Sequence, residues 1–211
     1  MQQPTVLPNG LRGSMIDLTR RWQHQARRMT FEDYRRRQVT TWIAPRGTSM
    51  RPLIGSATWL QVEFGATSVD IGDIILFPLG DMLVAHRVVA QRQRTGQTIL
   101  IPKGDAEPFC DPRIPLCDVI GVVRALRQGR NTESDSFGCT GASAHLMARI
   151  SRLHGRAANA ARRVANGLPG PLRRIALDAI PPLARVAARI VFTPLLWADR
   201  RSRRQFAKGR M

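Results

Sequence analysis

Ser49 stands in the turn-forming stretch RGTSMRPLIG (46–55), and a hydroxyl there becomes a nucleophile only if a base lies close enough to take its proton. LVAHRVV (83–89) supplies a candidate: His86 interrupts an otherwise apolar run 37 residues after Ser49, and an imidazole accepts protons near neutral pH. PKGDAEPFCD (102–111) adds two carboxylates, Asp105 and Asp111, 19 and 25 residues beyond the histidine. A carboxylate fixes the tautomer of an imidazole and stabilises its charged form, so these residue types together can perform Ser–His–Asp acyl transfer. Taken singly, each also has an ordinary structural use: a turn serine, a hydrogen-bonded core histidine, an aspartate accepting backbone bonds in KGDA.

The elements that must position these groups are short. VTTWIAP, TWLQVEF, DIILFPL, MLVAHRVVAQ, QTILIPK and DVIGVVRAL are β-branched or apolar runs cut by Gly, Pro, Asp and Thr, the pattern of strands joined by turns. No 3.6-residue period of helix length interrupts them. Residues 40–125 therefore read as a compact, mainly β domain. That domain is electrically neutral, with eight Lys/Arg against eight Asp/Glu.

The net charge of +18 sits in the flanks, +5 over residues 1–39 and +13 over residues 126–211. In the first flank, TFED (30–33) predicts a helix start capped by Thr30, within a segment of one or two short helices. Residues 126–143, centred on RNTESDSFGCTGAS, read as a linker. Residues 144–211 read as basic amphipathic helices. One places Leu146, Ile150, Leu153, Ala157, Ala160 and Val164 on an apolar face opposite Arg149, Arg152, Arg156 and Arg163, and ends at Gly167 and Pro169. A second spans Pro171–Ile180, and a third starts at Pro182, setting Leu183, Val186, Ala187, Ile190 and Val191 opposite Arg185 and Arg189.

Three cysteines without a CxxC or Cys/His pattern point to neither a disulfide framework nor a zinc site, and no cofactor or metal is expected. The first residues lack the basic-then-apolar pattern of a signal peptide, and IVFTPLLWA (190–198) is about half the roughly 20 residues that a membrane span needs. The expected location is cytoplasmic or peripheral to a membrane.

In order, SMRP (49–52), VDIGDIILF (69–77), HRV (86–88), KGDAEPFCD (103–111) and DVIGVV (118–123) resemble the successive sequence boxes of type I signal peptidases. The resemblance covers about two fifths of the chain. The histidine, where the usual bacterial branch has lysine, makes the chain similar to the endoplasmic-reticulum and archaeal branch, a Ser–His peptidase assisted by aspartates. It implies Ser49 as nucleophile, His86 as general base, Asp111 as the orienting carboxylate, and Asp105 as a second aspartate that shapes the site or shares that role. The Ser49 N–H would be one oxyanion donor; where the lysine branch can use a hydroxyl two residues earlier, this chain has Gly47, with Thr48 beside it. The implied fold is the signal-peptidase/SOS-repressor-type β fold, which binds extended substrates at a sheet edge, with TWIAP (41–45) as the candidate wall.

The resemblance departs at the flank before Ser49, which is Arg-rich where the family carries a membrane-spanning anchor. The implied partner is a peptide or protein precursor, with an anionic membrane surface as a second partner for the basic helices. Nucleic acid ranks below both, because base-stacking aromatics and a groove-reading motif are missing. His86, together with the lack of a helix-turn-helix and an Ala-Gly site before Ser49, argues against a self-cleaving SOS-type repressor. The alternative from another class is a non-catalytic basic adaptor on a peptidase-like domain, and oligomeric state is not legible.

Overall fold

The computed structural model describes residues 30–55, 57–129, 139 and 141–208, with side chains of the last helix as far as residue 195. The remaining N-terminal segment, most of the 130–143 stretch, and the Trp197 and Phe206 side chains lie outside the described residues. A helical segment, α1 (residues 30–36), leads into seven strands. These are β1 (Thr40–Ile43), β2 (Thr58–Phe64), β3 (Ile74–Leu79), β4 (Met82–Arg94), β5 (Gln97–Lys103), β6 (Ile114–Pro115) and β7 (Gly121–Gln128). They form one antiparallel sheet in the order β1-β2-β7-β3-β4-β5-β6.

Turn chemistry explains the hairpins. Thr95 and Gly96 both take positive φ (48° and 77°) between β4 and β5, the conformation that lets a two-residue turn follow the strand twist. Period-two alternation then gives the sheet two apolar faces. Ile74 and Leu76 join Leu60, Val62, Phe64 and Val123 on one side, while Ile75 and Phe77 join Val88, Leu100 and Val122 on the other. Phe64 also anchors α1, stacking on Phe31 at 5.6 Å and meeting Tyr34 edge-on at 5.4 Å.

The first face is roofed by two helices, α2 (Gly141–Asn166) and α3 (Gly170–Lys208), through Met147, Ala188 and Phe192. The face that α2 packs is not the apolar stripe read from its sequence: Leu153 (61%) and Val164 (71%) of that stripe are exposed, while Ala144, Met147, Ala148, Ser151, Gly155 and Ala158 are buried. The physical reason is close approach. The backbone of α2 runs so near the sheet that a Cβ on Gly72 would stand 2.5 Å from the Ala144 carbonyl carbon, leaving room only for small side chains and one unbranched methionine.

α3 repeats this. Leu183 (66%) and Ile190 (67%) are exposed, while Ile180, Ala184, Ala188 and Phe192 form the buried stripe. That i, i+4 stripe crosses Pro181 and Pro182, so α3 is one helix where two were expected. An interior proline disfavours a helix by about 3 kcal/mol, but stopping there would take the rest of the stripe out of register with the face it covers. Among the described residues no helix is long and apolar enough to cross a membrane.

Gly72 combines φ +107° with the Ala144 approach, whereas Gly96 has positive φ with nothing within 4 Å of a built Cβ. Gly72→Ala is expected to destabilise the chain by about 2 kcal/mol or more, and Gly96→Ala by about 1 kcal/mol. Paired denaturant melts read the difference.

Candidate active site

Ser49 is presented by a turn tied at both ends. Arg51 N–H donates to the Thr48 carbonyl at 3.1 Å and Ile54 N–H to the Met50 carbonyl at 3.0 Å, while Met50, Leu53 and Ile54 sink into the core. The serine itself stays partly exposed. Below it lies the loop 103–111. Ala106 N–H donates to the Ser49 carbonyl at 2.7 Å, and Asp105 N–H contacts the Met50 sulfur at 3.4 Å. Gly104 permits this contact, since a Cβ there would come within 2.9 Å of the Ser49 carbonyl oxygen and 3.1 Å of its Cβ.

His86 lies on β4, opposite Ile75 of β3, buried, with its ring edge-on to Phe77 at 6.2 Å. Its Nε2 is 2.8 Å from Ser49 Oγ and its Nδ1 is 2.7 Å from Asp111 Oδ2. An ionised carboxylate only accepts, so Nδ1 carries the proton toward Asp111 and Nε2 offers its lone pair to the serine hydroxyl. Asp111 is held in turn, its N–H donating to the Pro102 carbonyl at 3.0 Å. Three residues from a turn, a strand and a loop thus form one hydrogen-bonded line that can activate a hydroxyl.

Asp105 is not on that line. It is wholly buried against Arg87, which gives Nε to Oδ1 at 3.0 Å and Nη2 to Oδ2 at 2.7 Å, while Nη1 donates to the Gly72 carbonyl at 2.8 Å. Of the two aspartates read from the sequence, Asp111 touches the histidine and Asp105 neutralises a buried guanidinium. Arg87 was the residue overlooked. Its signal was a basic side chain directly after His86 in an apolar strand, which must find a carboxylate if both its faces are covered.

β1, carrying most of TWIAP, is an edge strand, paired only with β2 among the described residues. The Arg127 guanidinium lies 4.6 Å over the Trp42 ring and 5.8 Å from that of Trp59, joining β1, β2 and β7 on the face they share. Burial also perturbs Asp73, whose carboxyl is raised, with the Asp70 N–H and the Arg124 charge opposing. No group of three or more His, Cys, Asp or Glu side chains able to hold a metal ion occurs among the described residues.

The two aspartates should separate in experiment. Asp111→Asn leaves the fold within about 1 kcal/mol of wild type but slows acylation of Ser49 by a serine-directed probe by roughly three to four orders of magnitude. Asp105→Asn strips the buried Arg87 of its counter-charge and destabilises the chain by about 3–5 kcal/mol in denaturant unfolding. No family model matches the sequence, and a search of curated proteins finds no significant match.

Proposed function

We propose that the protein is a serine endopeptidase of the signal-peptidase type, cleaving a leader or signal segment from a peptide or protein precursor. The observation that carries this reading is the unbroken line from Ser49 Oγ through His86 to Asp111, with bonds of 2.8 and 2.7 Å. Ser49 attacks the scissile carbonyl as His86 Nε2 takes its proton; Asp111 stabilises the imidazolium; His86 then protonates the leaving amine, and water repeats the sequence on the acyl-enzyme. The antiparallel sheet suits the β-rich, partly barrel-like fold of that family. The edge of β1, which pairs with no second strand among the described residues, suits an extended substrate bound through its main chain.

The helices supply the second partner. Outward Leu153, Val164, Leu183, Val186 and Ile190, with Arg149, Arg152, Arg156, Arg185 and Arg189 on the same two helices, fit an anionic membrane surface: acyl chains accept the apolar stripes and headgroups the guanidinia. The enzyme would then act in the cytoplasm or at a membrane face, on precursors whose leader is acidic or already near lipid. The same stripes are what favours the second reading, a non-catalytic basic adaptor. A partly exposed serine aligned on a buried histidine and its aspartate has no use in such a scaffold.

The test is cleavage of extended peptides bearing small side chains before the cut, with and without anionic liposomes. Ser49→Ala and His86→Ala are each expected to lower kcat by about three orders of magnitude or more, and liposomes to raise the wild-type rate. Liposome binding without cleavage or Ser49 labelling would establish the adaptor.

A further inference from the structure

Lys103 closes β5, paired with Arg87 across the ladder, and its side chain is wholly buried. Burying an ammonium is strongly unfavourable unless its protons are used, and an unbranched apolar residue would fill the space at no such cost. Arg87 meets a carboxylate; among the described residues Lys103 meets only neutral acceptors at hydrogen-bonding distance. Its Nζ lies 3.1 Å from the Gly104 carbonyl, 3.2 Å from Ser151 Oγ and 3.3 Å from His154 Nδ1. Three acceptors match three N–H groups, one from the loop and two from α2.

The surroundings are built for this contact. Gly155 lets the lysine stem pass under α2, since a Cβ there would stand 3.1 Å from Cε and 3.4 Å from Cδ. Burial lowers the Lys103 pKa, opposed chiefly by Asp105. Burial lowers that of His154 as well, with the Lys103 charge adding to the shift and the Ala184 backbone of α3 opposing it. A neutral imidazole is what an acceptor at Nδ1 requires.

The same loop is gripped twice more. The Arg162 guanidinium of α2 lies 5.3 Å from the Phe109 ring, and Arg185 Nη2 of α3 lies 3.8 Å from Glu107 Oε2. These are the residues between the one that supports Ser49 from below, Ala106, and the one that orients His86, Asp111.

Resting on the peptidase reading, we propose that Lys103 is a positioning residue: held by Ser151 and His154, it makes the placement of Ser49 and Asp111 depend on the seating of α2. Catalytic competence is thereby conditional on the state of the helical region. What unseats α2 loosens the loop that completes the site.

Lys103→Met keeps the buried stem and removes the ammonium; His154→Leu removes an acceptor; His154→Asn puts an amide oxygen where Nδ1 was. Two readouts are taken on the full chain: hydrogen exchange at the Ala106 and Asp111 amides, and kcat and KM with the rate of Ser49 acylation. The expected result for Lys103→Met and His154→Leu is exchange faster by about tenfold at those two amides, with the β3 and β7 amides unchanged. Along with it, kcat falls tenfold to a hundredfold, on the order of what a displacement of about 1 Å costs, at unchanged KM. His154→Asn restores both. Unaltered exchange overturns the tether, and faster exchange at constant kcat, or His154→Asn behaving as His154→Leu, reduces Lys103 to a packing residue and overturns positioning. A wild-type chain that is neither acylated nor active overturns the peptidase reading, and the positioning role with it, whatever the exchange shows.

Discussion

Two adjacent residues of β4 each demand a carboxylate, and one loop supplies both. Strand geometry sends His86 and Arg87 to opposite sides of the sheet, and residues 103–111 place Asp111 against the first and Asp105 against the second. The six-residue interval between these aspartates is the constraint on which the site depends: it must span the edge of β4 while passing under Ser49. Gly104 allows the passage, and the Ala106 N–H fixes its height.

The arrangement also explains why so much charge is buried around one serine. Arg87 and Asp105 are both fully buried, and a planar guanidinium bonded at Nε and Nη2 to one carboxylate and at Nη1 to the Gly72 carbonyl has little freedom to rotate. An apolar pair would pack as well and add stability, but it would not set the loop in one register. Gly72 in turn lies against the first turn of α2, where an added Cβ would meet the Ala144 backbone, so the fork that holds the 103–111 loop also ends beside the helical layer.

How much of this is legible in the sequence follows from what each signal encodes. The strands read clearly because Gly, Pro and Asp bound them and because β-branched runs have little other use; Ser49 and His86 read as a pair because their chemistry is complementary. Spacing alone leaves Asp105 and Asp111 interchangeable, and only the resemblance singles out Asp111; that Asp105 serves Arg87 does not read, since it depends on Arg87 being covered on both faces, a property of the fold rather than of spacing. Which helix face is buried does not read for a related reason. Periodicity finds the largest apolar stripe, but the sheet selects the stripe that allows the closest backbone approach, and in α2 that is Ala, Ser and Gly. Pro181 and Pro182 read as a break, yet α3 runs through them because its buried stripe continues.

The charge distribution gives the molecule a direction. The neutral residues 40–125 hold the Ser49–His86–Asp111 line, and the segment of net charge +13 that follows them carries most of the field. In an anionic environment such a body experiences a torque as well as an attraction, so its encounters are oriented before contact, helices leading and sheet trailing. That alignment acts over about a Debye length, roughly 8–10 Å in physiological salt, and fades as ionic strength rises. A molecule so charged would meet a negative surface already facing one way, with the sheet held at a set inclination to that surface by the helices.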